Sequence, residues 1–145
     1  MKTPQRILGC IALTAFLPLL QAVEDPNQRH LTPGAMGIGM SETMRVNATC
    51  SARSNAPCMV VFTIEDQSRR VLKSAMKTLL PGQSDYLELS AAEAGAAFRD
   101  MRHIVLLPAV QFDRRTPVLG TVEILDTLTG RTDAFTNVLV DDPDL

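Results

Sequence analysis

An all-β fold, two antiparallel sheets packed as a sandwich, is what this sequence predicts, on three observations. Seven segments of strand-like length either alternate apolar with polar side chains or run continuously apolar. Turn chemistry built on Pro, Gly, Asn and Asp separates them at short intervals. Only one stretch, Ser90 to Phe98, carries a helical signal. Seven strands in a chain of this length suit an immunoglobulin-like antiparallel β-sandwich with one short helical turn.

The chain opens on a segment that is not part of that fold. Lys2 and Arg6 precede an apolar run from Ile7 to Leu20, and a small residue follows at Ala22, the anatomy of a secretory signal peptide cleaved after Ala22. Thr14 and Pro18 interrupt the run, which falls short of the ~20 apolar residues a spanning helix needs. Only three residues separate Arg6 from Cys10, too few for an apolar region ahead of a lipidated cysteine. Removing residues 1–22 from the 145 leaves 123, the size of one domain. Lys2 and Arg6 go with the leader, so 14 basic residues become 12 against 16 acidic ones, a net −4 in place of −2. Such a balance disfavours nucleic-acid binding, which needs clustered positive charge.

The mature elements follow in order. Val23 to Gly39, rich in Pro, Gly and polar residues, reads as an extended arm or an irregular first strand. From Thr43 to Ser51, Met44, Val46, Ala48 and Cys50 alternate with Arg45, Asn47, Thr49 and Ser51. After the Asn55-Ala56-Pro57 turn, Cys58, Val60, Phe62 and Ile64 repeat the inward series as far as Glu65. An antiparallel hairpin would set Cys50 opposite Cys58, Ala48 opposite Val60, Val46 opposite Phe62 and Met44 opposite Ile64. With Cys10 removed, Cys50 and Cys58 are the one remaining pair, and an exported protein predicts a disulfide between them.

Val71 to Leu80 is the third strand, ended by Pro81-Gly82 with the chemistry of a type II turn. Asp85 to Leu89 is the fourth. Ser90-Ala91-Ala92-Glu93 then matches a capping box, with Gly95 limiting the helical turn. His103 to Phe112 is apolar on both faces, as a central strand would be, but Pro108 conflicts with that position. Leu119 to Asp126 and Thr132 to Val140 surround Leu128-Thr129-Gly130-Arg131 and predict a hairpin whose register the pattern leaves open. The expected organisation is a signal peptide (1–22), an N-terminal arm (23–39), a β-sandwich domain (40–140) and an acidic tail (141–145).

Ala56-Pro57-Cys58 ahead of an alternating strand, Val71-Leu72-Lys73 leading to Leu80-Pro81-Gly82-Gln83-Ser84, and Glu123-Ile124-Leu125-Asp126 with Thr129-Gly130-Arg131-Thr132 resemble recurrent segments of uncharacterised bacterial exported immunoglobulin-like β-sandwich modules. The resemblance spans Met36 to Val140 and implies architecture alone, with no activity to transfer. In that group a cysteine often precedes the late strand, near Pro117 here. This chain carries Cys50 instead, which implies that its bridge connects different elements.

Catalytic constellations are not evident in the sequence. It has no Gly-x-Ser-x-Gly elbow, no HExxH and no phosphate-cradling loop between a strand and a helix. His30 and His103 stand alone, and Asp85, Glu88 and Asp126 lack the dense oxygen spacing of a calcium site. Met36, Met40 and Met44 recur every four residues, and thioethers select soft Cu(I). Gly37 and Gly39 oppose the helix that would align them, while a strand would space each pair roughly 13 Å apart.

These readings predict a non-catalytic, cofactor-free module, periplasmic or secreted, with a structural or protein-interaction role. Its expected partner is another exported or cell-surface protein, with no nucleic acid and no membrane span after cleavage. Backbone groups on an edge strand are the expected means of binding. The alternative is a periplasmic small-ligand or Cu(I) carrier using Met36, Met40 and Met44 as metal ligands.

Overall fold

The computed structural model describes residues 27–95 and 103–138. The leader, its cleavage site and Cys10, the first residues of the arm (23–26), the end of the helical stretch at Ala96 to Phe98, the last two residues of the expected final strand (139–140) and the acidic tail lie outside the described residues. Within them the chain forms nine strands: β1 (Gln28–Leu31), β2 (Met36–Gly39), β3 (Glu42–Cys50), β4 (Cys58–Asp66), β5 (Val71–Leu79), β6 (Ser84–Ser90), β7 (His103–Asp113), β8 (Val118–Asp126) and β9 (Thr132–Val138). One sheet has the order β1-β7-β4-β5, with β2 also on β7, and the other β6-β3-β8-β9. Every pairing is antiparallel. The all-β sandwich therefore stands, with nine strands in place of seven.

The two additional strands come from Val23 to Gly39. Each is four residues long, and the intervening Thr32-Pro33-Gly34-Ala35 obscures their alternation. They dock successively along one side of β7, Leu31 opposite Val110 and Met36 opposite Leu106. The break between them faces Pro108, which resolves its conflict. The ladder from β7 to β4 runs through Ile64 and Pro108 without a shift. In an antiparallel ladder each residue addresses one neighbour, so the donor that proline lacks points at the gap. β7 is thus central, with Ile104, Leu106, Val110 and Phe112 buried on its inner face.

The first hairpin is corrected. β3 and β4 do not pair: β3 lies between β6 and β8, and β4 between β5 and β7 in the opposite sheet. All eight inward residues expected of them are nevertheless buried. Period-two alternation states which face of a strand meets the core. It does not distinguish a lateral neighbour from a strand facing it across the sandwich. The Cys50–Cys58 disulfide forms, but as a bridge between sheets, with the Cα atoms 5.7 Å apart. Stacked sheets lie roughly 10 Å apart, so the two are drawn together at this end.

Hydrogen bonds fasten the same end. Gln83 O accepts from Cys50 N, Cys50 O accepts from Gly82 N, and Pro117 O accepts from Ser51 N at 2.9 Å. Cys50 is the lateral partner of Val118. Position 117 is therefore its spatial neighbour, and a cysteine at either place lies at the same end of the sheet.

Local chemistry elsewhere matches the sequence. Gln83 N donates to Leu80 O at 2.8 Å and Gly82 has φ 79°, giving the type II turn between β5 and β6. That turn also carries the chain from one sheet to the other. Ser90 and Glu93 make both capping-box bonds, Ser90 N to Glu93 Oε2 at 3.0 Å and Glu93 N to Ser90 Oγ at 3.2 Å. One further bond, Ala94 N to Ser90 O, closes a single helical turn. No α-helix occurs among the described residues. The β8–β9 hairpin has the register Gly120 opposite Val138, with an irregularity at Ile124/Leu125.

Candidate interaction surface

A sandwich of two open sheets has to manage the unpaired backbone at its four edges. One side is closed by an unusual pattern in β5, whose inward row reads Lys73, Ala75, Lys77, Leu79. Lys73 is opposite buried Ile64 and Lys77 opposite buried Val60. At an edge the alkyl stems lie along the rim of the core while the amines emerge. Lys77 Nζ reaches Asp85 Oδ1 at 2.7 Å and donates to Tyr86 O at 3.2 Å. Lys73 Nζ reaches Glu93 Oε1 at 2.6 Å. The bridges tie β5 to β6 and its turn across the two sheets. Lys77 holds the Asp85 carboxyl below its ordinary range, and Lys73 does the same to Glu93.

The outer face beside this corner is fully engaged. Arg45 lies 2.6 Å from Glu88 and 4.0 Å from Glu123, with its guanidinium carbon 4.7 Å above the Tyr86 ring centroid. Hydrogen bonding to Glu88 raises the Arg45 pKa. Asn47 Nδ2 donates to Thr121 Oγ1 and Glu123 Oε1, each at 3.1 Å, and the Thr49 and Ser84 hydroxyls meet at 2.7 Å. This lattice spans β6, β3 and β8 and holds their register.

The other side differs. Among the described residues β9 pairs with β8 alone, and Thr132, Asp133, Ala134 and Phe135 are exposed on both faces of the strand. Ala134 lies opposite buried Ile124, so it belongs to the inward row and yet is not covered by the other sheet. Phe135 is 54% exposed. The strand Thr132–Val138 contains no lysine and no proline, the residues that usually blunt an edge.

A second feature lies at the disulfide end. A cavity of about 590 Å³ opens between the β3–β4 and β7–β8 connections, lined by Arg53, Asn55, Pro57, Met59, Arg115 and Pro117 among others. A smaller trough of about 200 Å³ adjoins it through Met59 and Asp113 and continues to Val61, Met76 and Gln111 on the outer face of the first sheet.

The predicted metal ligands do not share a face. Met36 packs against the core from β2, Met40 is 67% exposed in the following turn, and Met44 is completely buried in β3. Among the described residues no group of three His, Cys, Asp or Glu side chains is placed to hold a metal ion. Asp85 and Glu88 are engaged by Lys77 and Arg45. Asp126 caps its own hairpin, accepting from Leu128 N, Thr129 N and Thr129 Oγ1. Cys50 and Cys58 are joined and buried, as an oxidising environment allows.

Sequence reasoning missed Lys73 and Lys77 as edge guards, Phe135 as an edge aromatic, and the meeting of Arg53 with Arg115. Lysine in the inward row of an otherwise strand-like segment is a readable edge signal. The joining of two arginines 62 positions apart in the chain is not. No family model, curated protein or solved structure matches this chain.

Proposed function

We propose that this protein acts outside the cytoplasm as a non-catalytic β-sandwich module that binds another exported or cell-surface protein by strand addition to β9. The observation that carries this reading is the asymmetry of the edges. Inward lysines close β5 against β6, whereas β9 presents an uncharged run, Ala134-Phe135-Thr136-Asn137-Val138, with Phe135 exposed. Backbone hydrogen bonds to an added strand would supply affinity, and pockets for alternate side chains specificity. The leader pattern and the buried disulfide support an extracytoplasmic setting, periplasmic or secreted.

Site-specific photo-crosslinking in the producing cell tests the assignment. A photoreactive phenylalanine analogue at Phe135 is expected to give a discrete protein adduct, and the same analogue at Met76 on β5 to give none. Equal yields at the two edges, or no adduct at Phe135, would overturn it.

A further inference from the structure

The cavity at the disulfide end has an unbalanced charge. Arg45, Arg69 and Arg70 are paired with carboxylates. Arg53 and Arg115, which line the cavity from two different connections, make no ion pair among the described residues. Among the described residues the one acid in the lining is Asp113, and its Oδ1 already accepts from Arg115 N at 2.8 Å to hold the β7–β8 turn. Ser54, Asn55 and Thr116 add polar groups, while Pro57, Met59 and Pro117 form an apolar wall. Two unpaired guanidinia beside such a wall suit a carboxylate carried on a partly apolar segment.

The topology brings one such segment to this place. β9 runs toward the disulfide end, and Val138 is the lateral partner of Gly120, three residues from the cavity-lining Pro117. The sequence continues Leu139-Val140-Asp141-Asp142-Pro143-Asp144-Leu145. Asp141 is three residues beyond Val138, a reach of roughly 10 Å in extended chain, and Asp144 reaches roughly 20 Å. The cavity-lining Pro117 is only three residues from Gly120 along the neighbouring strand, so a reach of this order spans the interval. Tethering so close makes even a weak ionic contact intramolecular, with a high effective concentration.

We propose that the acidic segment Asp141–Asp144 docks in cis into the cavity between Arg53 and Arg115. It neutralises the guanidinia and lays Leu139 and Val140 toward the apolar wall. Because the contact is ionic and solvent-accessible, it weakens with salt. It does not depend on strand addition at β9.

The test uses the full chain and nuclear magnetic resonance of the arginine Nε–Hε groups and backbone amides. Replacing Asp141→Asn, Asp142→Asn and Asp144→Asn together is expected to shift the Arg53 and Arg115 Nε–Hε signals and the amides of the 53–57 and 113–117 connections. Arg53→Gln with Arg115→Gln should reciprocally lower the heteronuclear Overhauser effects of residues 141–144, and molar sodium chloride should reproduce both changes. Tail neutralisation that moves only residues 139–145 would overturn the proposal. So would shifts that follow Glu24→Gln with Asp25→Asn instead, which would assign the cavity to the opposite terminal segment. Shifts that vanish on tenfold dilution would assign it to a second copy, and overturn the cis contact.

Discussion

Cys50 and Cys58 show how a residue can be read correctly for the wrong neighbour. Their identity as a pair follows from counting and from the export that the leader pattern predicts, but their placement in opposite sheets makes the bridge a clamp between layers instead of a rung within one. Both are buried, and the bridge closes only a short loop. Replacing both with alanine is expected to lower unfolding stability by about 2.6 kcal/mol on the chain-entropy account. Denaturant titration checks this, and an unchanged midpoint would refute it. Gly120 has a different constraint that no pattern reveals: a Cβ there would lie 3.0 Å from Leu31 Cδ1, so its smallness seats β1 against the second sheet. Arg69, at φ 62°, holds a left-handed position that glycine would occupy without strain. The neighbouring turn compensates through Asp66, whose Oδ1 accepts from Ser68 N and Arg70 N.

Where they fall on described residues, the boundaries of the seven expected strands were legible to within one residue because alternation, proline and glycine act locally. The sequence segment 71–80 ends as β5 at Leu79, and the segment 119–126 begins as β8 at Val118. Pairing was less legible, since each alternating strand satisfies its core face equally well against several neighbours. β5 and β9 illustrate how an edge reveals itself. Lys73 and Lys77 occupy inward positions that only an edge can tolerate, and they discourage another strand from joining. The double variant Lys73→Val, Lys77→Val is therefore expected to raise the apparent mass in solution relative to the parent by exposing β5 to strand pairing. The parent's circular dichroism spectrum should be retained. Multi-angle light scattering after size exclusion would detect the change, and an unaltered mass would show that the lysines do not guard the edge.

For the molecule as a whole, two sheets joined by a disulfide at one end are tied at one side by ion pairs whose carboxyls titrate below their ordinary values. Asp85 and Glu93 are depressed by Lys77 and Lys73, while Asp66 and Asp126 are depressed first by the backbone amides of Arg70 and Thr129. A depressed folded value contributes stability above the unfolded value that is lost as pH falls through the folded one. The ordinary values are 3.8 for Asp and 4.5 for Glu, so stability should hold above about pH 5 and decline below about pH 4. Urea midpoints across that range measure it, and Asp85→Asn with Glu93→Gln should flatten part of the fall. Each contribution is small because the groups are solvent-accessible.

The sequence by itself determined the fold class, the inward faces, the turn types and the cysteine pair. Each of these depends on side-chain period or on the conformational limits of Pro and Gly within a few residues. Tertiary structure alone decided that β3 and β4 face each other across the core, that Pro108 lies opposite a strand break, and that, among the described residues, β9 is left open while β5 is closed. It also brought Arg53 and Arg115 to one cavity. These outcomes depend on which strands become lateral neighbours, a choice made by long-range packing that a period-two pattern leaves degenerate.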